Sequence, residues 1–198
     1  GRLLALLTNG RGAMSHVPAD WPNLRSRYDA LLAANPDPRV PCDRWVLFSR
    51  CRIWLRYRGY SHPVDASCLH RFETQPGSNE ARWEFRVPTG LGRSVALKLV
   101  LGLEGGANRV RIALERGRVR EGDDGEVLDD GEAITLILRP DIESRSFHET
   151  TKAYTGPEQV WVAASHAEAD GVRFEPAGLP WLHLRGEGCA YTHEPEWH

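Results

Sequence analysis

The chain has 198 residues, 41% hydrophobic and 26% charged, with a formal net charge of −2. That fits one globular β domain and lacks the cationic excess that draws a protein to nucleic acid or an anionic membrane. No run approaches the roughly 18 apolar residues of a membrane span, and the apolar run from Gly1 to Leu7 has no cleavage-site pattern, so it reads as a strand.

In chain order, Leu6-Leu7 runs into Thr8-Asn9-Gly10-Arg11-Gly12, whose glycines mark backbone with positive φ or close approach. A polar loop carrying Trp21 follows, and then Arg27-Tyr28-Asp29-Ala30-Leu31-Leu32. Farther on, Arg50, Arg52, Trp54, Arg56 and Arg58 share one face of a strand, and Cys51, Ile53, Leu55 and Tyr57 share the other. Trp83, Phe85 and Val87 oppose Arg82, Glu84 and Arg86. Val95, Leu97, Leu99 and Leu101 repeat at period two, as do Val110, Ile112 and Leu114. Ile134, Leu136 and Leu138 make a further inner face. Gln159 to Ala163 and Gly171 to Glu175 are predicted to pair as a late hairpin. Turn signals lie at Pro36-Asp37-Pro38, Gln75 to Asn79, Gly105 to Asn108 and Gly122 to Gly125, and the acidic stretch Glu121 to Glu132 reads as a solvated hairpin loop. The predicted class is all-β, a large antiparallel β-sandwich in a single domain over residues 1–198.

The side chains that carry chemistry are sparse. The four cysteines, Cys42, Cys51, Cys68 and Cys189, contain no Cys-x-x-Cys pair and read as reduced thiols of a cytoplasmic protein, with Cys51 and Cys68 on strands. The eight histidines show no metal-ligand spacing, the glycine-rich Thr89 to Ser94 is a hairpin turn and not a phosphate loop, and no cofactor is indicated. Glycoside hydrolysis needs two carboxylates across the scissile bond. Asp141 and Glu143 are spaced to share a strand face, yet they could equally pair with Arg139 and Arg145, so no acid/base pair is assigned. The Arg50 to Arg58 face either meets phosphates and bases or pairs with acidic neighbours in an outer sheet face; the slightly acidic chain favours the second. Of the seven tryptophans, Trp21 is the candidate sugar platform, Trp45, Trp83 and Trp161 are expected in the core, and Trp181 and Trp197 could pack on another domain.

Four segments, in order, carry a family resemblance: Leu7 to Gly12; Asn23 with Arg27, Tyr28, Leu31 and Leu32; Arg139-Pro140 with Arg145-Ser146-Phe147-His148; and Glu196-Trp197-His198. With these the chain resembles, over essentially its whole length, the N-terminal domain of bacterial and archaeal glycogen debranching enzymes of the amylo-α-1,6-glucosidase type. It departs at Asp29-Ala30, where that family has His-Gly, and at Ser15 to Pro22, where the family loop is rich in Gly, Ser and Thr. The resemblance implies a supersandwich fold and hydrolysis of the α-1,6 branch by carboxylates of a separate C-terminal (α/α)6 barrel, expected downstream. It implies a non-catalytic domain that packs on that barrel and helps bind α-glucan through Asn9, Arg11, Trp21, Arg27, Tyr28, Arg145 and His148, with neither nucleic acid nor membrane as partner. His148 reads either as a polar contact to substrate or barrel or as a hydrogen-bonded residue at a strand end. A stand-alone binding or scaffolding β-sandwich without a sugar role is the alternative reading.

Overall fold

The computed structural model describes residues 3–75, 77–118, 127–152, 156–194 and 196; Pro76, the turn at Gly122 to Gly125, Trp197 and His198 lie outside them. The first sheet is built from β1 (Leu4–Thr8), β2 (Met14–Pro18), β3 (Ala30–Ala34), β4 (Trp45–Tyr57), β5 (Tyr60–Pro63) and, late in the chain, β10 (Thr135–Ser146). All pairs are antiparallel, in the order β1-β2-β3-β4-β10, with β5 also beside β4. The second sheet runs β6 (Leu69–Thr74), β7 (Glu80–Gly90), β8 (Arg93–Leu103), β9 (Val110–Arg116), again antiparallel.

The two sheets enclose one core because each presents a period-two apolar stripe. From the first come Leu7, Leu31, Cys51, Ile53 and Leu55; from the second, Trp83, Phe85, Leu97, Leu99 and Leu101. The expected alternation is present on β4, β7 and β8, whose inward residues are buried while Arg56, Arg82 and Arg86 face out. Strand β3 departs from it: all five residues, Ala30 to Ala34, are buried. Leu31 and Leu32 belong to the main core, whereas Ala30 and Ala33 join Val46 and Phe147 in a second apolar cluster, with Met14 and Tyr28 packed against it. The first sheet is therefore covered on both faces at this end, and that cover forms the floor of the site described below.

Three expectations are corrected. Residues Pro157–Ala163 form a short helix, α1, and not a strand. Pro157 at its start fixes φ and has no N–H for a sheet ladder, which suits a helix N-terminus. The late hairpin instead pairs β11 (Ser165–Glu168) with β12 (Gly171–Phe174), and β13 (Leu182–Arg185) completes a small third sheet against which Trp161 stacks through Phe174, ring centroids 5.5 Å apart. Cys68 sits in a 3-10 turn, Ala66–Cys68, capped by the Asp65 carboxylate. The inner face at Ile134, Leu136 and Leu138 is incompletely covered, since Leu138 is exposed at the sheet's edge. All four cysteines are free thiols, and no helix among the described residues is long and apolar enough to cross a membrane.

Candidate functional site

The turn before β3 is built by one buried carboxylate. Asp29 Oδ2 accepts the backbone N–H groups of Arg25 (2.5 Å) and Ser26 (2.9 Å), and Oδ1 accepts the Ser26 hydroxyl (3.1 Å) and His16 Nδ1 (2.8 Å). An ionised carboxylate can only accept, so Asp29 fixes the His16 proton on Nδ1. Upstream, burial pushes the Asp20 carboxyl up, but hydrogen bonds from Arg25 and Asn23 outweigh it and hold Asp20 below its ordinary value. This anchoring lifts Arg27 and Tyr28 to the tip of the turn, with the Arg27 guanidinium 5.1 Å from the centre of the Tyr28 ring.

The end of β10 meets this turn from the other side. Arg145, only 9% exposed, donates from Nη2 to the Arg27 carbonyl (2.6 Å), from Nε to Glu143 (2.6 Å) and from Nη1 to the Glu149 carbonyl (2.9 Å). Phe147 is buried; Tyr28 leans on it at 4.9 Å between centroids and meets the exposed His148 edge-on at 5.9 Å. Arg27, Tyr28, Arg145 and His148 are thus one cluster, although more than a hundred positions separate the two pairs. Nearby, the Asp29 carboxylate is committed to the turn, and the Glu143 carboxylate is committed to Arg145.

Asn9 and Arg11 sit on a neighbouring loop. Asn9 is buried, and its amide is engaged at both ends: Oδ1 accepts the N–H groups of Arg11 (2.9 Å) and Ala13 (3.1 Å), while Nδ2 donates to the Ala107 carbonyl (2.8 Å). Its role is to hold the loop. Gly12 is required there, since its φ is +107° and an added Cβ would lie 2.7 Å from the Pro41 carbonyl oxygen. Arg44 joins this loop to the cluster: Nε donates to the Gly12 carbonyl (2.6 Å) and the guanidinium lies 5.7 Å from the Phe147 ring centre. Arg11 is half-buried; Arg39's hydrogen bonds first, and Arg11's charge after them, hold Asp37 below the usual carboxylate range.

Trp21 requires a correction. It is 1% exposed, packed edge-on to Trp83 at 5.4 Å, and therefore offers no ring face at the surface. The physical reason is the hydrogen bond from Trp83 Nε1 to the Ala19 carbonyl (2.9 Å), which draws the loop across the open side of the sandwich. On the arginine face of β4, Arg50 and Arg52 share Asp141 of the neighbouring β10 (2.5 and 2.8 Å), as the second of its two readings anticipated, and Arg58, in the turn just past β4, meets Glu132 (3.1 Å). Asp141 therefore pairs across strands and not with Arg139.

A family model described as glycogen debranching enzyme N terminal matches residues 5–198. The chain belongs to that family. No curated protein and no solved structure matches it. In this glycogen debranching N-terminal domain, the first three segments that carried the resemblance converge, and the fourth meets the third at a separate point along β10. Arg44 ties the Gly12 loop to Phe147, Arg145 ties β10 to Arg27, and Arg139 Nη2 meets Glu196 at 2.5 Å. Sequence reasoning missed Asp29, Arg44 and Phe147 as parts of the site, whereas the pairing of Glu143 with Arg145 was one of the two readings its spacing allowed. The Ser26-x-x-Asp29 spacing was a readable sign of a side-chain-capped turn; nothing local to Arg44 pointed to Gly12 or Phe147.

Proposed function

We propose that this domain is a non-catalytic, glucan-contacting module of a glycogen debranching enzyme-like protein. It works beside a C-terminal catalytic barrel that hydrolyses α-1,6 branches in glycogen breakdown, and its place of work is the cytoplasm. One observation carries the reading: three of the family's segments meet around an exposed Arg27 and His148 and a half-buried Tyr28, supported from below by Arg145 and Phe147. A half-buried ring beside a guanidinium and an imidazole suits a pyranose, whose apolar C–H face packs on an aromatic while its hydroxyls take hydrogen bonds. In this reading Arg27, Tyr28 and His148 touch sugar. Asn9, Arg11 and Arg145 position them, and Trp21 acts only through the core.

Electrophoresis of the chain in gels with and without glycogen tests this. Wild type is expected to be retarded by glycogen, and Tyr28→Ala and His148→Ala to lose most of the retardation while keeping the wild-type circular dichroism spectrum. Equal mobility of wild type in both gels contradicts the proposal.

A further inference from the structure

Exposed sheet edges are templates for pairing with another chain, and proteins guard them with charges, histidine or proline. This molecule does so at nearly every edge: β6 carries His70, Arg71 and Glu73, β9 carries Arg111, Glu115 and Arg116, and β10 carries Arg139, Pro140 and Asp141. The edges of the third sheet have His166 and Glu168 on β11 and His183 and Arg185 on β13. Among the described strands, the edge strand β1 is the exception. It reads Leu-Ala-Leu-Leu-Thr and has neither charge nor proline. Ala5 and Leu7 are in the core, but Leu3, Leu4 and Leu6 are 67%, 41% and 57% exposed.

The backbone on this edge is in register to pair. The Leu3 carbonyl accepts from Ala19, and Asn9 N–H donates to Ala13, so the odd-numbered residues bond toward β2. By alternation, Leu4, Leu6 and Thr8 direct their N–H and C=O groups to the free edge. We propose that β1 is a self-association edge that pairs antiparallel, about a two-fold axis, with β1 of a second copy of this chain. Leu6 then lies opposite its own copy and Leu4 opposite Thr8. The occupant is a second copy because an uncharged strand of this pattern is complementary to itself: the two Leu-rich outer stripes become continuous, and no like charges meet. Five residues a side fall short of the about 1,000 Å² of a durable interface, so the association is a concentration-dependent equilibrium. This inference does not depend on glucan binding.

The test is sedimentation equilibrium of the whole chain across the micromolar range. Wild type is expected to rise from 22.2 kDa toward twice that mass, and Leu6→Lys to remain at the monomer mass at every concentration. Leu6 faces solvent, so the lysine leaves the core intact, and Leu4→Lys serves as the second variant should the first misfold. In a Cys42→Ser/Cys189→Ser background, a short bismaleimide should couple Leu6→Cys into dimers far faster than Leu91→Cys, placed on the fully exposed β7–β8 hairpin. A monomeric wild type, unchanged association of Leu6→Lys, or equal coupling at the two cysteines overturns the proposal.

Discussion

Arg145 Nη2 donates to the carbonyl oxygen of Arg27 at 2.6 Å, joining residues 118 positions apart. This bond holds the Arg27-Tyr28 turn against the end of β10. The guanidinium makes further bonds to Glu143 and Glu149 and is almost wholly buried, so deleting it leaves several polar groups without partners. Arg145→Ala is expected to lower stability by about 3 kcal/mol, read as a lower urea midpoint with little change in slope. A midpoint within error of wild type would show that the turn holds itself.

The Asp29 carboxylate organises four donors. Asn keeps one acceptor oxygen and turns an NH2 toward two backbone N–H groups. Asp29→Asn should cost about 2 kcal/mol and raise hydrogen exchange at Arg25 and Ser26. Unchanged exchange there would remove Asp29 from its capping role.

Two glycines in one loop make opposite demands on space. Gly10 has φ of +74° with open room for a Cβ, whereas Gly12 has φ of +107° and a backbone oxygen in the way. Gly10→Ala should cost about 1 kcal/mol from backbone strain alone, and Gly12→Ala distinctly more, by thermal melts. Equal costs would mean that the 36–44 segment yields.

Burial pushes the Cys51 thiol up to about 12, with the Asp141 charge adding to it, and burial also raises Cys68. A thiol that stays neutral in the fold but ionises near its ordinary value when unfolded makes stability fall as pH rises from about 9 toward 12. Cys51→Ala should flatten that fall. Ellman's reagent at pH 8 should titrate Cys42 and Cys189 at once, and Cys51 and Cys68 only after unfolding. Four thiols reacting together would contradict the buried placement.

The parts of the fold legible in the sequence are those whose two faces differ. Strands β4, β7 and β8 have one apolar and one charged face, so their period shows. Strand β3 is covered on both faces and carries no alternation. The seven residues of α1 are too few to show a helical period, and β-branched Val160 and Val162 imitate a strand. Trp21 followed the general rule for a Pro-flanked loop residue, and a hydrogen bond from a strand more than sixty positions away overrode it. Arg27, Tyr28, Arg145 and His148 were found through family resemblance; their convergence is a tertiary fact that no local pattern encodes.

The proposed glucan-contacting surface is the Tyr28 cluster. Hydrogen exchange of the chain with and without a branched malto-oligosaccharide tests it most directly. Protection confined to Arg25 to Tyr28 and Phe147 to Glu149 is the predicted result; protection centred on another surface, or none at saturating sugar, would contradict it.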